Sequence, residues 1–284
     1  MSGETLKTVE KALQVLRAFE RASPQLSVAE ISRRLGVSRT AITRILATLE
    51  RPGFLERSAT TGRYRIGIAA CEVGALYLID NPLTKIADEA MKRVAQLTGF
   101  TAYLGKLYGD EVVILGLREG TQPIRFLWSP GDRLPVGTTA LGNAMLMAMP
   151  ESEVDQILGS DRLAGLTPGS LATRADLDRQ LAEQRDKGWV PMIEESYPGV
   201  CGVGAAIVDA AGKPVAGISL SFLGSSREQH AFDRFGAEVV EAAREISRRL
   251  QLQGSYSRPH RRGETEPVLE ASTTRGLAPG DKST

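Results

Sequence analysis

The 284-residue sequence predicts an α+β protein: a helix-turn-helix module with a β-hairpin, then one apolar helix, then a larger body with a largely antiparallel sheet. Three observations carry this. Helix-period apolar residues fall into three short early runs, with about three residues between the second and third, the spacing of a helix-turn-helix. Later strand-like runs follow one another through hairpin turns, with helices before, between and after them, which is not the regular alternation of a parallel α/β fold. Charge is segregated too: residues 1–66 hold 12 Lys or Arg against 6 Glu, a net of +6, leaving −5 for the rest of a chain whose total is +1. A basic first quarter ahead of a mildly acidic body reads as a polyanion-binding module joined to something that does not bind polyanions.

Val9, Leu13, Leu16 and Phe19 recur at helical steps and predict the apolar face of the first helix, which Ser23-Pro24 stops. Ser27-Val28-Ala29-Glu30 has the form of a capping box, in which the Ser hydroxyl accepts from the N3 amide and the Glu carboxylate accepts from the Ser amide. The helix it opens buries Val28, Ile31 and Leu35, and Gly36 supplies the left-handed backbone of a tight turn. Ser38 caps a third helix with Ile42, Ile45, Leu46 and Leu49 inward, closed by Pro52-Gly53. Phe54–Arg57 and Arg63–Ile66 flank a small-residue turn and predict a hairpin, or wing. Ile66–Ile79 is apolar nearly all round, contains Glu72 and is too short to span a bilayer, so burial against protein is expected, with a second copy of this chain as the partner.

Asn81-Pro82 ends that helix. Pro82–Leu97 then reads as helix, Thr101–Leu107 and Val112–Leu117 as strands around Tyr108-Gly109-Asp110, and Ile124–Trp128 as a third strand. Thr138–Met149 and Thr173–Lys187 read as helices, and Val203–Val208 and Val215–Phe222 as a hairpin around Asp209–Lys213. A final helix buries Phe232, Phe235, Val239, Ile246 and Leu250, and from Gly254 onward Ser, Pro, Gly and charge predict a disordered tail. The expected domains are therefore 1–66, a linker helix 67–81, a body 82–252 and a tail 253–284.

Composition excludes several classes. With 42% hydrophobic and 24% charged residues the chain is neither collagenous nor wholly disordered. Cys71 and Cys201 lack the spacing of a disulfide framework or zinc site, and the opening MSGETLKTVEKALQ has no apolar signal core, so a cytoplasmic protein with free thiols and no membrane partner is expected. GTTALGNA imitates a phosphate loop but has Asn143 for the lysine and Ala144 for the metal-binding hydroxyl, and Gly202-Val203-Gly204 lacks the third glycine of a dinucleotide fingerprint at Ile207. There is no G-x-S-x-G elbow, histidine is limited to His230 and His260, and the adjacent Glu194 and Glu195 have no identifiable acid–base partner. No catalytic residue, metal or cofactor is expected, and the chain is not read as an enzyme.

The nucleic-acid reading rests on the third helix. With its apolar residues inward, Ser38, Arg39, Thr40, Thr43 and Arg44 face out where a recognition helix meets base edges. Arg can bind guanine bidentately, and Thr offers a hydroxyl to bases and a methyl to thymine. Arg33 and Arg34 on the second helix and Arg57, Arg63 and Arg65 on the hairpin would neutralise phosphates. In the body, Ser219 and Ser221 are two apart on a strand, so both hydroxyls share a face and could bind a carboxylate; the alternative is a solvent-facing edge. Arg125 and Arg133 are candidate counter-charges or simply surface residues.

KTVEKALQVLRAF, LSVAEISRRLGVSRTAITRILATLERPGFLER and TGRYRIG strongly resemble the N-terminal winged helix-turn-helix of the IclR family of bacterial transcriptional regulators. The resemblance continues through LPVGTTALGNAMLMAMP, the Thr173–Gly188 helix with its Gly-Trp ending, GVCGVGAAIVDAAGKPVAGISLS and the last helix, roughly residues 5–250. It implies a GAF-like effector-binding domain, dimers joined through the linker helix and often paired into tetramers, and control of catabolic operons by small organic or aromatic acids. Carried across residue by residue, it places the effector pocket at Phe126, Leu134, Ala140, Leu141, Met192, Val200, Gly202, Ser219 and Ser221. Gly202 stands where relatives that bind small keto acids have Cys, with Cys201 one residue early and facing the other side, and Met192 stands where they have Asp. Both departures make the site more apolar and favour an aromatic or bulkier ligand.

The reading is thus an effector-responsive regulator, leaning to repression, that binds a pseudo-palindromic double-stranded operator as a homodimer or homotetramer. Two rivals are an enzyme acting on a small organic acid with an incidental basic front end, which ligand turnover would reveal, and a nonspecific architectural DNA binder, whose affinity would ignore sequence.

Overall fold

The computed structural model describes residues 6–122, 128–159, 163, 165–224 and 229–253. The first segment is three helices, α1 (Lys7–Arg17), α2 (Val28–Leu35) and α3 (Arg39–Glu50), followed by the antiparallel hairpin β1 (Leu55–Arg57) and β2 (Tyr64–Ile66). The α2 capping box forms as expected: Ser27 accepts from the Glu30 amide, and the Ser27 amide donates to Glu30 Oε2 at 2.7 Å. Two hydrogen bonds to this carboxylate from Ser27, then the one from Arg63, hold it down to a pKa of about 2. Ser27→Ala is expected to cost about 1 kcal/mol, the usual worth of such a cap, read as a lower midpoint in chemical denaturation. Gly36, at φ +63°, closes α2 and turns the chain into the Ser38 cap of α3.

The core of this unit differs in one respect from the expectation. Ile31, Ile42, Ile45 and Leu46 are buried, and Val28, Leu35 and Leu49 pack against them, as predicted. On α1, however, Val15 and Ala18 are the buried residues, joined by Leu16 and Phe19, while Val9 and Leu13 lie more than half exposed. The packing stripe of α1 covers only its second half, because α2 and α3 reach no farther toward the N-terminus. Leu6, Val9 and Leu13 form a second apolar face that no described residue covers.

Helix α4 (Ile68–Asp80) follows, and none of its residues is buried. Ile68, Val73, Leu76, Tyr77 and Ile79 all stand exposed on it. Asn81 accepts from the Leu83 amide and caps α5 (Pro82–Thr98), which starts on proline and ends at left-handed Gly99.

The body is a sheet of six described strands, all antiparallel, in the order β5-β4-β3-β8-β7-β6. They are β3 (Thr101–Tyr108), β4 (Glu111–Arg118), β5 (Arg133–Pro135), β6 (Val190–Ile193), β7 (Val200–Val208) and β8 (Pro214–Leu223). One face carries α5 and α9 (Gln229–Leu252), with Phe222 in edge contact with both Phe232 and Phe235 and all five predicted α9 residues buried. The other carries α6 (Ala140–Met147) and α8 (Arg174–Gln184), with α7 (Glu151–Leu158) between them in sequence. Glycines let α6 lie directly on the sheet: a Cβ on Gly204 would sit 2.2 Å from the Ala140 carbonyl oxygen and one on Gly217 would sit 2.9 Å from that of Leu141.

The expected strand Ile124–Trp128 falls largely outside the described residues, as does the expected tail beyond residue 253. The strand that follows β4 among the described residues is β5, and neither it nor β6 nor α7 was anticipated. The body also meets the first unit: Arg21 donates to Asp132 Oδ2 at 3.1 Å and to Ser129 Oγ at 3.3 Å, and Arg17 stacks over the Tyr108 ring at 5.7 Å.

Candidate nucleic-acid interface and ligand site

Helix α3 presents Ser38, Arg39, Thr40, Thr43 and Arg44 to solvent, opposite the face that Ile42, Ile45 and Leu46 bury. Arg39 and Arg44, with Arg33 on α2 and Arg57 on the hairpin, form no ion pair among the described residues, so their charge remains available to an anion. Arg57 lies over the Tyr64 ring at 5.7 Å, which fixes the root of the hairpin arm. Thr43 donates its hydroxyl to the Arg39 carbonyl at 2.9 Å, leaving the methyl group and the oxygen lone pairs for a partner.

Three expected phosphate contacts are engaged inside the unit instead. Arg34 donates to the Ala18 carbonyl at 2.8 Å and to Ser23 Oγ at 2.9 Å, tying α2 to the end of α1. Arg63 donates to the Gln25 carbonyl and pairs with Glu30 at 2.7 Å, linking the hairpin to the capping box. Arg65 pairs with Glu56, its cross-strand neighbour, at 2.7 Å. Only contacts distant in sequence reveal this, since the spacing of basic residues cannot show which carboxylate or carbonyl folds beside each one. Arg34→Ala is therefore expected to lower stability by about 1 kcal/mol in thermal or chemical unfolding, in addition to any loss of DNA affinity.

In the body, sheet register brings most of the expected ligand residues together. Thr101, Ser221, Gly202 and Met192 lie in one row across β3, β8, β7 and β6, and Tyr103, Ser219, Gly204 and Val190 in the next. These rows face α6: a Cβ on Gly202 would meet the Met192 methyl at 3.2 Å and Ala140 Cβ at 3.7 Å. Ala140, Met192 and Val200 form a small apolar cluster there. Ser219 and Ser221 are buried on this inner face, not on a solvent edge. Cys201 belongs to the opposite core, against α5 and α9, so its thiol points away from the site as the one-residue offset implied.

Leu134 and Leu141 are buried one step aside, in the cluster with Tyr103, Ile114 and Met145. Burial, with Glu119 nearby, raises the Tyr103 phenol above its usual range, and a backbone hydrogen bond at Trp128 opposes this. Phe126 and Arg125 lie outside the described residues. Arg133 is a surface residue, paired with Glu111 at 2.7 Å and stacked on Tyr108.

A neighbouring polar group joins Asn143 to Glu195, for which the sequence showed no partner. Asn143, on α6 one turn after Ala140, is completely buried, and Glu195, in the loop after β6, is 2% exposed. Burial pushes the Glu195 carboxyl up to about 7, against hydrogen bonding from the Ile193 backbone and the Gln180 and Asn143 side chains. The signal was present as a polar residue on an otherwise apolar helix, but the phosphate-loop comparison considered Asn143 only as a missing lysine.

Among the described residues no cluster of His, Cys, Asp and Glu could hold a metal ion, and no helix is long and apolar enough to cross a membrane.

Residues 8–59 match the model of the IclR helix-turn-helix domain, and residues 75–248 match that of the bacterial transcriptional regulator IclR C-terminal domain. The chain is 29% identical over 245 residues to the HTH-type transcriptional regulator XynR of Escherichia coli K12, covering 86% of this chain and 97% of that protein. It is also 29% identical over 246 residues to the HTH-type transcriptional repressor AllR of the same strain, covering 87% and 91%. In structure it resembles an IclR-type transcriptional regulator from Alicyclobacillus acidocaldarius, with a TM-score of 0.77 and 28% identity over 86% of this chain and 99% of the other. A homologue from Microbacterium hydrocarbonoxydans, solved with 4-hydroxybenzoate, gives a TM-score of 0.72 at 23% identity, covering 87% of this chain and all of the other.

Proposed function

Because the chain belongs to the IclR family of bacterial transcriptional regulators and is a DNA-binding regulator, we propose that it acts as a homodimeric repressor of a catabolic operon, controlled by a small organic or aromatic acid. The observation that carries this reading is the bare outer face of α3, where Arg39, Thr40, Thr43 and Arg44 are exposed and no other part of the described chain covers them. Two such helices related by a twofold axis read a pseudo-palindromic operator with half-sites about whole helical turns apart. Ser38, Arg39, Thr40, Thr43 and Arg44 contact bases, and Arg33 and Arg57 contact phosphate. Residues 1–66 serve as the DNA-binding domain, 67–81 as the linker and 82–252 as the effector domain.

Helix α4 supplies the dimer seam. It is apolar around its circumference, carries only Glu72 and Asp80 as charges, and has no residue buried by the described part of its own chain, so a second copy covers it. The effector lies between the serine rows and α6, with its carboxylate on Ser219 and Ser221 and its carbon skeleton on Ala140, Met192 and Val200. An acid bound there changes DNA affinity only by favouring one arrangement of the two units, a coupling typically worth ~1–3 kcal/mol. The linker helix transmits it, and the contact of Arg21 with Asp132 and Ser129 gives a second physical route from the body to α1.

The decisive experiment maps the protein's DNA occupancy across the source genome and tests the bound promoter fragments with metabolites of the adjacent operon. Occupied pseudo-palindromes released by an acid support the proposal; promoter fragments ignored with and without metabolites overturn it. For the pocket, Ser219→Ala is expected to weaken binding of an acid found by thermal-shift screening about tenfold, the worth of a hydrogen bond to a charged group, while ligand-free DNA affinity stays near wild type. Unchanged acid affinity removes Ser219 from the site.

A further inference from the structure

The polar group beside the serine rows has chemistry that nothing else in the fold uses. The fully buried Asn143 lies near enough to Glu195 to help its ionised form, but neither of its amide atoms makes a hydrogen bond within 3.5 Å among the described residues. Glu195 Oε2, and Oε1 of Gln180 on α8, likewise make no hydrogen bond within 3.5 Å among the described residues. Native interiors avoid such groups, because each loses its bonds to water without replacement. Where they persist together, a ligand site is a physical reason for them.

The cluster adjoins the proposed pocket. Asn143 follows Ala140 by three residues on α6, so the two share a helix face, and Ala140 touches Met192 and Gly202. Ser196, next to Glu195, donates to Met192 Sδ at 3.6 Å. The loop is held in place from outside: Thr167 donates to the Glu194 carbonyl, and Ser170 to that of Glu195 at 2.6 Å. Glu195 is therefore positioned before any ligand arrives. Across the sheet the lining runs from hydroxyls on β8, through small and aliphatic residues on β7 and β6, to an amide and a carboxyl beyond β6. Two strand spacings, about 10 Å, separate β8 from β6.

From this arrangement, and resting on the effector-pocket reading above, we infer that Asn143 and Glu195 determine ligand specificity, and that the effector is a hydroxy acid with a hydroxyl remote from its carboxylate. A hydroxyl can donate to one oxygen of the pair and accept from the Asn143 amide at once. A purely apolar end leaves all these groups unpaired. A second carboxylate would add charge beside a carboxyl whose own ionisation burial already disfavours.

The test is calorimetric titration of the full chain with matched acids: 4-hydroxybenzoate against benzoate and terephthalate, and gluconate against hexanoate. The wild type is expected to prefer the hydroxylated member of at least one pair by about tenfold or more, because a site built for a hydroxyl rejects an analogue without one. Asn143→Leu erases that preference without lowering the melting temperature of the ligand-free protein, and Glu195→Gln reduces it. Ser219→Ala weakens both members of a pair alike. If Ser219→Ala weakens the acids but the wild type ignores the hydroxyl, the pocket stands and this inference falls. If Asn143→Leu removes the preference while Ser219→Ala changes nothing, the inference stands and the serines leave the pocket. Failure of every hydroxylated acid to bind overturns it, as does a fall of several degrees in the ligand-free melting temperature of Asn143→Leu, which marks a purely structural role.

Discussion

Val73→Glu combined with Leu76→Glu is expected to yield a folded monomer that has lost at least a hundredfold in operator affinity. Both side chains stand more than half exposed on α4, and no α4 residue belongs to the intrachain core, so the substitution removes little that the single chain needs. In the proposed dimer both positions meet their symmetry mates. Four carboxylates on an apolar seam must then be desolvated without partners, which favours dissociation. Once the subunits separate, each half-site binds alone and the gain from tethering two recognition helices, commonly 10²–10⁴-fold, disappears. Light scattering on the eluting protein gives its mass, circular dichroism its helix content, and fluorescence anisotropy its affinity for a labelled operator. A wild-type dimer mass with full operator affinity would remove α4 from the interface.

Arg44→Ala should cost ~1–3 kcal/mol, or ~5–150-fold, on the native operator, and much less on random duplex. Arg44 is exposed on α3, makes no ion pair among the described residues and sits one residue from Thr43, whose hydroxyl proton is committed to the Arg39 carbonyl. It is therefore the side chain best placed to supply a directional pair of donors to a base edge, while Thr43 adds a methyl contact and an acceptor. Competition binding against operator variants checks this, because removing a base reader flattens the preference at one position. Equal losses on operator and random DNA would make Arg44 a phosphate contact.

Much of this architecture was legible before any coordinates. The Ser27 capping box, the left-handed Gly36 and the Ser38 cap are signals confined to four or five neighbouring residues, and all three form where expected. The burial of Ile42, Ile45 and Leu46 follows from helical spacing alone, and it fixes which side of α3 faces outward. The opposite sides of Cys201 and Gly202 follow equally simply from strand alternation. The short elements β5 and β6 were missed because three or four residues carry too little periodicity to rise above their surroundings. The exposed Val9 and Leu13 show the complementary limit: an apolar stripe shows that a helix has something to bury, but not what covers it or how far the cover extends.

By itself the sequence determined the family, the order of the elements and the face that α3 shows to solvent, because these depend on residue types at fixed short spacings along one chain. Tertiary structure alone decided which arginines keep a free charge. Arg34, Arg63 and Arg65 find polar partners across turns and between strands, while Arg33, Arg39, Arg44 and Arg57 make no ion pair among the described residues. It also decided that Asn143 and Glu195, 52 positions apart, share one buried site. Charge pairing and desolvation depend on distance in space, and distance in space between remote residues is set only when the sheet and its covering helices pack.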